Sequence, residues 1–130
     1  MNEGFGRNLI TIFGTDTYKD MHLYPLKAVI LSDNKSSITF QFDGGPDIIL
    51  DAEGDCCSHT WIEHIDVPPY VIGEKLQTVH DSLMNRSGKE DYDVIQSYKT
   101  TFGTPKGEIV IEYRNSSNGY YGGYLVRRHS

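Results

Sequence analysis

At 130 residues with a net charge of −6 and a pI near 5.2, the chain can build one domain with its own core but lacks the basic surface that non-specific nucleic-acid binding needs. Its two cysteines are adjacent, Cys56 and Cys57, which excludes a disulfide scaffold because neighbouring residues bridge only through a strained eight-membered ring. No charged-then-apolar leader opens the sequence and no window approaches about 18 apolar residues. The expectation is a single reduced, cytosolic domain over residues 1–130, with no membrane or direct nucleic-acid partner.

Residues 7–13, Arg-Asn-Leu-Ile-Thr-Ile-Phe, read as an edge strand, and the polar stretch 14–25 reads as a loop ending at Pro25. Leu26 to Ser32 is a second strand, and Asp33-Asn34-Lys35-Ser36 a turn. Ile38, Phe40 and Phe42 then alternate with polar neighbours, so strands two and three form a hairpin. Asp43-Gly44-Gly45-Pro46-Asp47 turns the chain into a strand over 47–52, completing an antiparallel meander.

The pattern then changes. Trp61, Ile62 and Ile65 have i, i+1, i+4 spacing, and Thr60-x-x-Glu63 fits a capping box with Ser58 as a competing cap. Pro68-Pro69 cannot continue a helix, so the spacing predicts one short helix near residues 57–65. Residues 74–84 fit a helical stripe (Leu76, Val79, Leu83) or a strand (Leu76, Thr78, His80), and the extended approach favours the strand. Tyr92 to Phe102 is a strand, 103–107 a turn, and Ile109, Ile111 and Tyr113 share one face of the next strand. Residues 115–119 read as a turn, and Tyr120 to Arg127 as the second arm of a C-terminal hairpin. The fold class is therefore α+β, mainly antiparallel β: a meander plus a C-terminal hairpin with one short helix.

Two stretches could carry chemistry. In Gly54-Asp55-Cys56-Cys57-Ser58-His59-Thr60-Trp61, a thiol at a helix start would have a lowered pKa, and His59 or His64 could serve as base. The competing reading is that small cysteines fill a tight corner, with Asp55 and Glu63 as helix caps and Trp61 as a core anchor. Zinc ligation by Cys56, Cys57, His59 and His64 is disfavoured because knuckles space their cysteines two to four residues apart. In Arg114-Asn115-Ser116-Ser117-Asn118-Gly119-Tyr120-Tyr121-Gly122-Gly123, asparagines and glycines tolerate left-handed backbone, so the turn could aim several N–H groups at one anion. Arg114 could add a fork for phosphate or carboxylate, and Tyr120, Tyr121 and Tyr124 ring faces. The competing reading is a tight hairpin whose glycines turn the chain and whose tyrosines pack.

The signatures Gly54-Asp55-Cys56-Cys57-Ser58-x-x-Trp61 and Ile111 to Gly123, with the spacing from Leu26 through Ile38-x-Phe40-x-Phe42, resemble a family of small uncharacterised proteins of bacteriophages and prophages over residues 23–127. The resemblance implies a viral or prophage origin and no established activity. In that setting small acidic proteins often block host defence by occupying a protein surface or sequestering a nucleotide. The leading expectation is thus a non-enzymatic accessory protein that binds a host protein, with no cofactor or metal. Arg114, Asn115, Asn118, Tyr120, Tyr121, Asp55, Cys57 and His59 are its candidate binding residues. The alternatives are a nucleotide or other small-ligand binder using the Arg114–Gly123 turn, and a cysteine-dependent enzyme using Cys56 or Cys57. The two stretches are expected to meet.

Overall fold

The computed structural model describes residues 7–8, 13–55, 58–87, 94–117 and 122–128. Among these residues are nine strands: β1 Arg7–Asn8, β2 Leu26–Leu31, β3 Ser37–Phe42, β4 Ile48–Gly54, β5 His59–Asp66, β6 Thr78–Ser87, β7 Val94–Thr104, β8 Gly107–Ser117 and β9 Gly123–Arg127. A helix, α1, spans Thr15–Leu23, and a 3-10 turn spans Pro69–Val71. Every strand pairing is antiparallel. The strands form a five-stranded sheet, β1-β6-β7-β8-β5, and a four-stranded sheet, β2-β3-β4-β9.

Alternation explains how the sheets meet. Ile38, Phe40 and Phe42 of β3 with Ile48 and Leu50 of β4 supply one buried face; Ile62, Val79, Phe102, Ile109, Ile111 and Tyr113 supply the other. These side chains form one core between the sheets, where the Phe40 and Phe102 rings lie 5.0 Å apart and tilted by 58°. The β2–β3 hairpin and the meander into β4 agree with this structure, as does the strand reading of residues 74–84 from Thr78 onward.

Three expectations are corrected. The polar stretch 14–25 holds α1, which buries only a narrow stripe, Thr17 and Met21 at i and i+4, and leaves Leu23 exposed. Tyr18 and His22, also four apart, stack at 4.9 Å. Gly14 opens the helix at φ +92°, and Tyr24 closes it in an extended conformation, as a residue before proline must.

The helix predicted near 57–65 is instead strand β5. A β-bulge between Ile62 and His64 adds one residue to the strand, so Ile62 faces Tyr113 and Ile65 faces Ile111 although they are three apart. That odd spacing imitates a helical stripe. The capping box is equally illusory: Thr60 is buried in the sheet, and Glu63 bonds the Trp61 indole. The bulged backbone docks on the other sheet, where Ile62 N–H donates to the Lys35 carbonyl at the β2–β3 turn (2.8 Å).

The C-terminal hairpin does not form. β8 is already flanked on both edges by β7 and β5, so β9 crosses to the other sheet and pairs with β4, with Gly54 opposite Gly123 and Leu50 opposite Arg127.

Candidate functional site

The two motif stretches do meet, where the end of β4 and the start of β5 lie against β8 and β9. Alternation along β8 continues past Ile109, Ile111 and Tyr113, so Asn115 also points inward and is fully buried in a strand, where the sequence had suggested a turn. Its amide nitrogen donates to Ser58 Oγ (3.0 Å) and Thr60 Oγ1 (2.8 Å). Ser58 spends its own proton on the Asp55 carbonyl (2.6 Å), so its oxygen must accept, which fixes the Asn115 nitrogen on that side. Asn115 Oδ1 has no partner among the described residues. Gly54 and Gly123 make room for this cluster: a Cβ on Gly54 would stand 2.5 Å from Ser58 Oγ, and one on Gly123 2.7 Å from Thr60 Oγ1.

Asp55 is no helix cap. One carboxylate oxygen accepts from the Tyr124 hydroxyl (2.6 Å) and the other from Gly122 N–H (3.1 Å), while Asp55 N–H donates to the Gly122 carbonyl (3.2 Å). It clamps β9 onto the end of β4. The Tyr124 bond first, then the Gly122 bond, hold its carboxyl below the ordinary carboxylate value against a smaller desolvation penalty. The same bond raises the Tyr124 phenol.

A depressed folded-state pKa contributes stability that is present above the unfolded value and is lost as pH falls through the folded one. The stability difference between the native chain and Asp55→Asn should therefore shrink as pH drops through the acid range, measured as urea midpoints at successive pH values. A difference that stays constant with pH would remove the clamp as a source of acid sensitivity.

The remaining described candidates lie on the outward face of the five-stranded sheet. His59 stacks on Trp61 with ring centroids 5.4 Å apart. Trp61 is half-buried, stands opposite Arg114 in register and donates its indole N–H to Glu63 Oε1 (2.9 Å). It is thus an outward residue, not a core anchor. The indole bond first, and Arg114 among the weaker influences, hold the Glu63 carboxyl below its ordinary value. Arg114 lies 3.7 Å from Glu63 and 3.5 Å from Glu112, so two carboxylates face its guanidinium.

Cys56, Cys57, Asn118, Tyr120 and Tyr121 fall outside the described residues, and with them the reactivity of the thiols and the anion-binding turn. Among the described residues no three or more His, Cys, Asp or Glu side chains are grouped to hold a metal ion, and no helix is long and apolar enough to cross a membrane. Sequence reasoning missed Thr60 as a partner of Asn115, Glu112 as a partner of Arg114, and the packing role of Gly54. The alternation of β8, extended by two residues, was the signal for Asn115.

Together these features define a small two-sheet antiparallel β domain with a buried polar junction and one aromatic and charged sheet face. The chain belongs to the family described as a domain of unknown function, DUF7448, whose model matches residues 6–126. It is also similar to the uncharacterized protein L278 of Acanthamoeba polyphaga mimivirus, with 30% identity over 82 residues. That match covers 59% of this chain and 64% of the viral protein, so the chain spans less than two thirds of that relative's length. No solved structure matches the chain.

Proposed function

We propose that this protein is a phage- or prophage-encoded accessory protein that acts in the host cytosol without catalysis, by binding a host protein and so countering host defence. The observation that carries this reading is the outward cluster of His59, Trp61 and Arg114 on β5 and β8, with the indole anchored by Glu63. Tryptophan and arginine dominate the energetics of protein interfaces, and a side chain fixed before binding loses little entropy when it docks. A twisted sheet presents such a cluster on a firm support, and the similarity to a viral protein adds to the viral setting.

The nucleotide-binding alternative draws less support, because Glu63 and Glu112 already answer the Arg114 charge that a phosphate would need. A reaction through Cys56 or Cys57 rests on no described geometry.

The test is affinity capture from host lysate followed by titration of the recovered partner. Trp61→Ala should weaken binding by about thirtyfold, the effect of losing one interface hot spot. Gln41→Ala, on the four-stranded sheet, should leave it unchanged. Absence of any stoichiometric partner, or equal binding by the Trp61 variant, would overturn the reading.

A further inference from the structure

A second feature lies on the opposite, inner side of the five-stranded sheet. β6 points Val79 and Asp81 toward the same face, so an acidic residue sits where alternation calls for an apolar one. Asp81 Oδ1 accepts from the Thr100 hydroxyl (3.0 Å) and from the Tyr113 hydroxyl (3.1 Å). Tyr113 is almost fully buried and stacks on Tyr98 at 5.0 Å, which holds its hydroxyl in place. Both hydroxyls thus meet the same carboxylate oxygen.

Beside this carboxylate is a pocket of about 180 Å³ lined by Phe13, Asp81, Thr100, Tyr113, Tyr124 and Leu125. It lies between β9 of one sheet and β6, β7 and β8 of the other. Among the described residues that line it, three of the six are aromatic and one, Asp81, is charged.

We infer that this pocket binds a primary alkylammonium group, whether on a free amine or on a lysine side chain. The argument is chemical. A carboxylate oxygen backed by two fixed hydroxyl donors recognises a cation by a charge-assisted hydrogen bond and repels an anion. Aromatic rings and Leu125 favour an apolar stem, and rings near an ammonium add electrostatic attraction. The volume holds about six water-sized groups, which suits a four-carbon stem with its nitrogen and is small for a nucleotide.

The test uses calorimetry on the full chain with n-butylammonium, N-acetyl-lysine methylamide and, as an uncharged control, n-butanol. The expected dissociation constant for a charged probe is on the order of 1 mM, with no heat from butanol. Asp81→Asn keeps an oxygen to accept from Thr100 and Tyr113 and so preserves the fold, checked by an unchanged melting transition, yet should bind at least about tenfold more weakly. Preference for butylammonium assigns the site to free amines, and equal or tighter binding of the lysine derivative assigns it to a protein side chain. Failure of both charged probes to bind at about 20 mM, or equal binding by native and Asp81→Asn chains, overturns the inference.

Discussion

Replacing Phe102 with alanine will destabilise the fold by about 3–5 kcal/mol, the usual cost of removing a buried aromatic ring from a packed core. Phe102 is fully buried on β7, with Val79 and Ile109 as its cross-strand neighbours. Its ring lies 5.0 Å from Phe40 of the opposing sheet and 6.0 Å from Phe13, two residues before the start of α1. One side chain thus touches both sheets and the helical corner, and its loss leaves a cavity that three separate elements would have to close together. Domains of this size have only about 5–15 kcal/mol to lose, so the variant should unfold at a much lower denaturant concentration with a nearly unchanged slope. Phe102→Leu, which keeps most of the apolar volume, should cost roughly 1–2 kcal/mol. A Phe102→Ala loss below about 1 kcal/mol would mean that the sheets do not share one core through this ring.

The same strands show why part of the fold was legible and part was not. β3 reads correctly because one face is buried and the other is not, so the pleat is written directly into Ile38, Phe40 and Phe42. β8 reads correctly as far as Tyr113 for the same reason; Asn115 broke the apolar pattern but not the geometric one, and polarity was mistaken for the end of the strand. β5 misled because a bulge changes the parity of a strand, and no local rule separates Ile62 and Ile65 in a bulged strand from the same residues on a helix. α1 was hidden by its small buried stripe, which gives a short polar helix the composition of a loop. The partner of β9 could not be read locally at all. Whether a terminal strand returns to its predecessor or crosses to the other sheet depends on which edges are free, a property of the assembled fold. The meeting of the two motif stretches was legible because both carry more polar residues than a core tolerates unless those residues satisfy one another, as Asn115, Ser58 and Thr60 do.

That polar junction carries the second large effect. Gly54→Ala should destabilise the protein by about 3 kcal/mol, from overpacking and from the hydrogen bonds that overpacking breaks. The added methyl would stand 2.5 Å from Ser58 Oγ, 2.6 Å from Thr60 Oγ1 and 2.7 Å from Asn115 Nδ2. These are short side chains already committed to one another, so none can swing aside without breaking a bond in a buried site. Gly54 lies within β4 opposite Gly123, so the objection to a side chain is steric. Asn115→Ala should cost about 2–3 kcal/mol by a different route, since it removes the donor shared by two hydroxyls and leaves space behind. The double variant separates this account from general fragility. Removing the Asn115 amide vacates part of the volume that the Gly54 methyl needs, so the two losses should fall short of adding by about 1 kcal/mol or more. Strictly additive losses in denaturant titrations would show that the residues do not act as one packed unit.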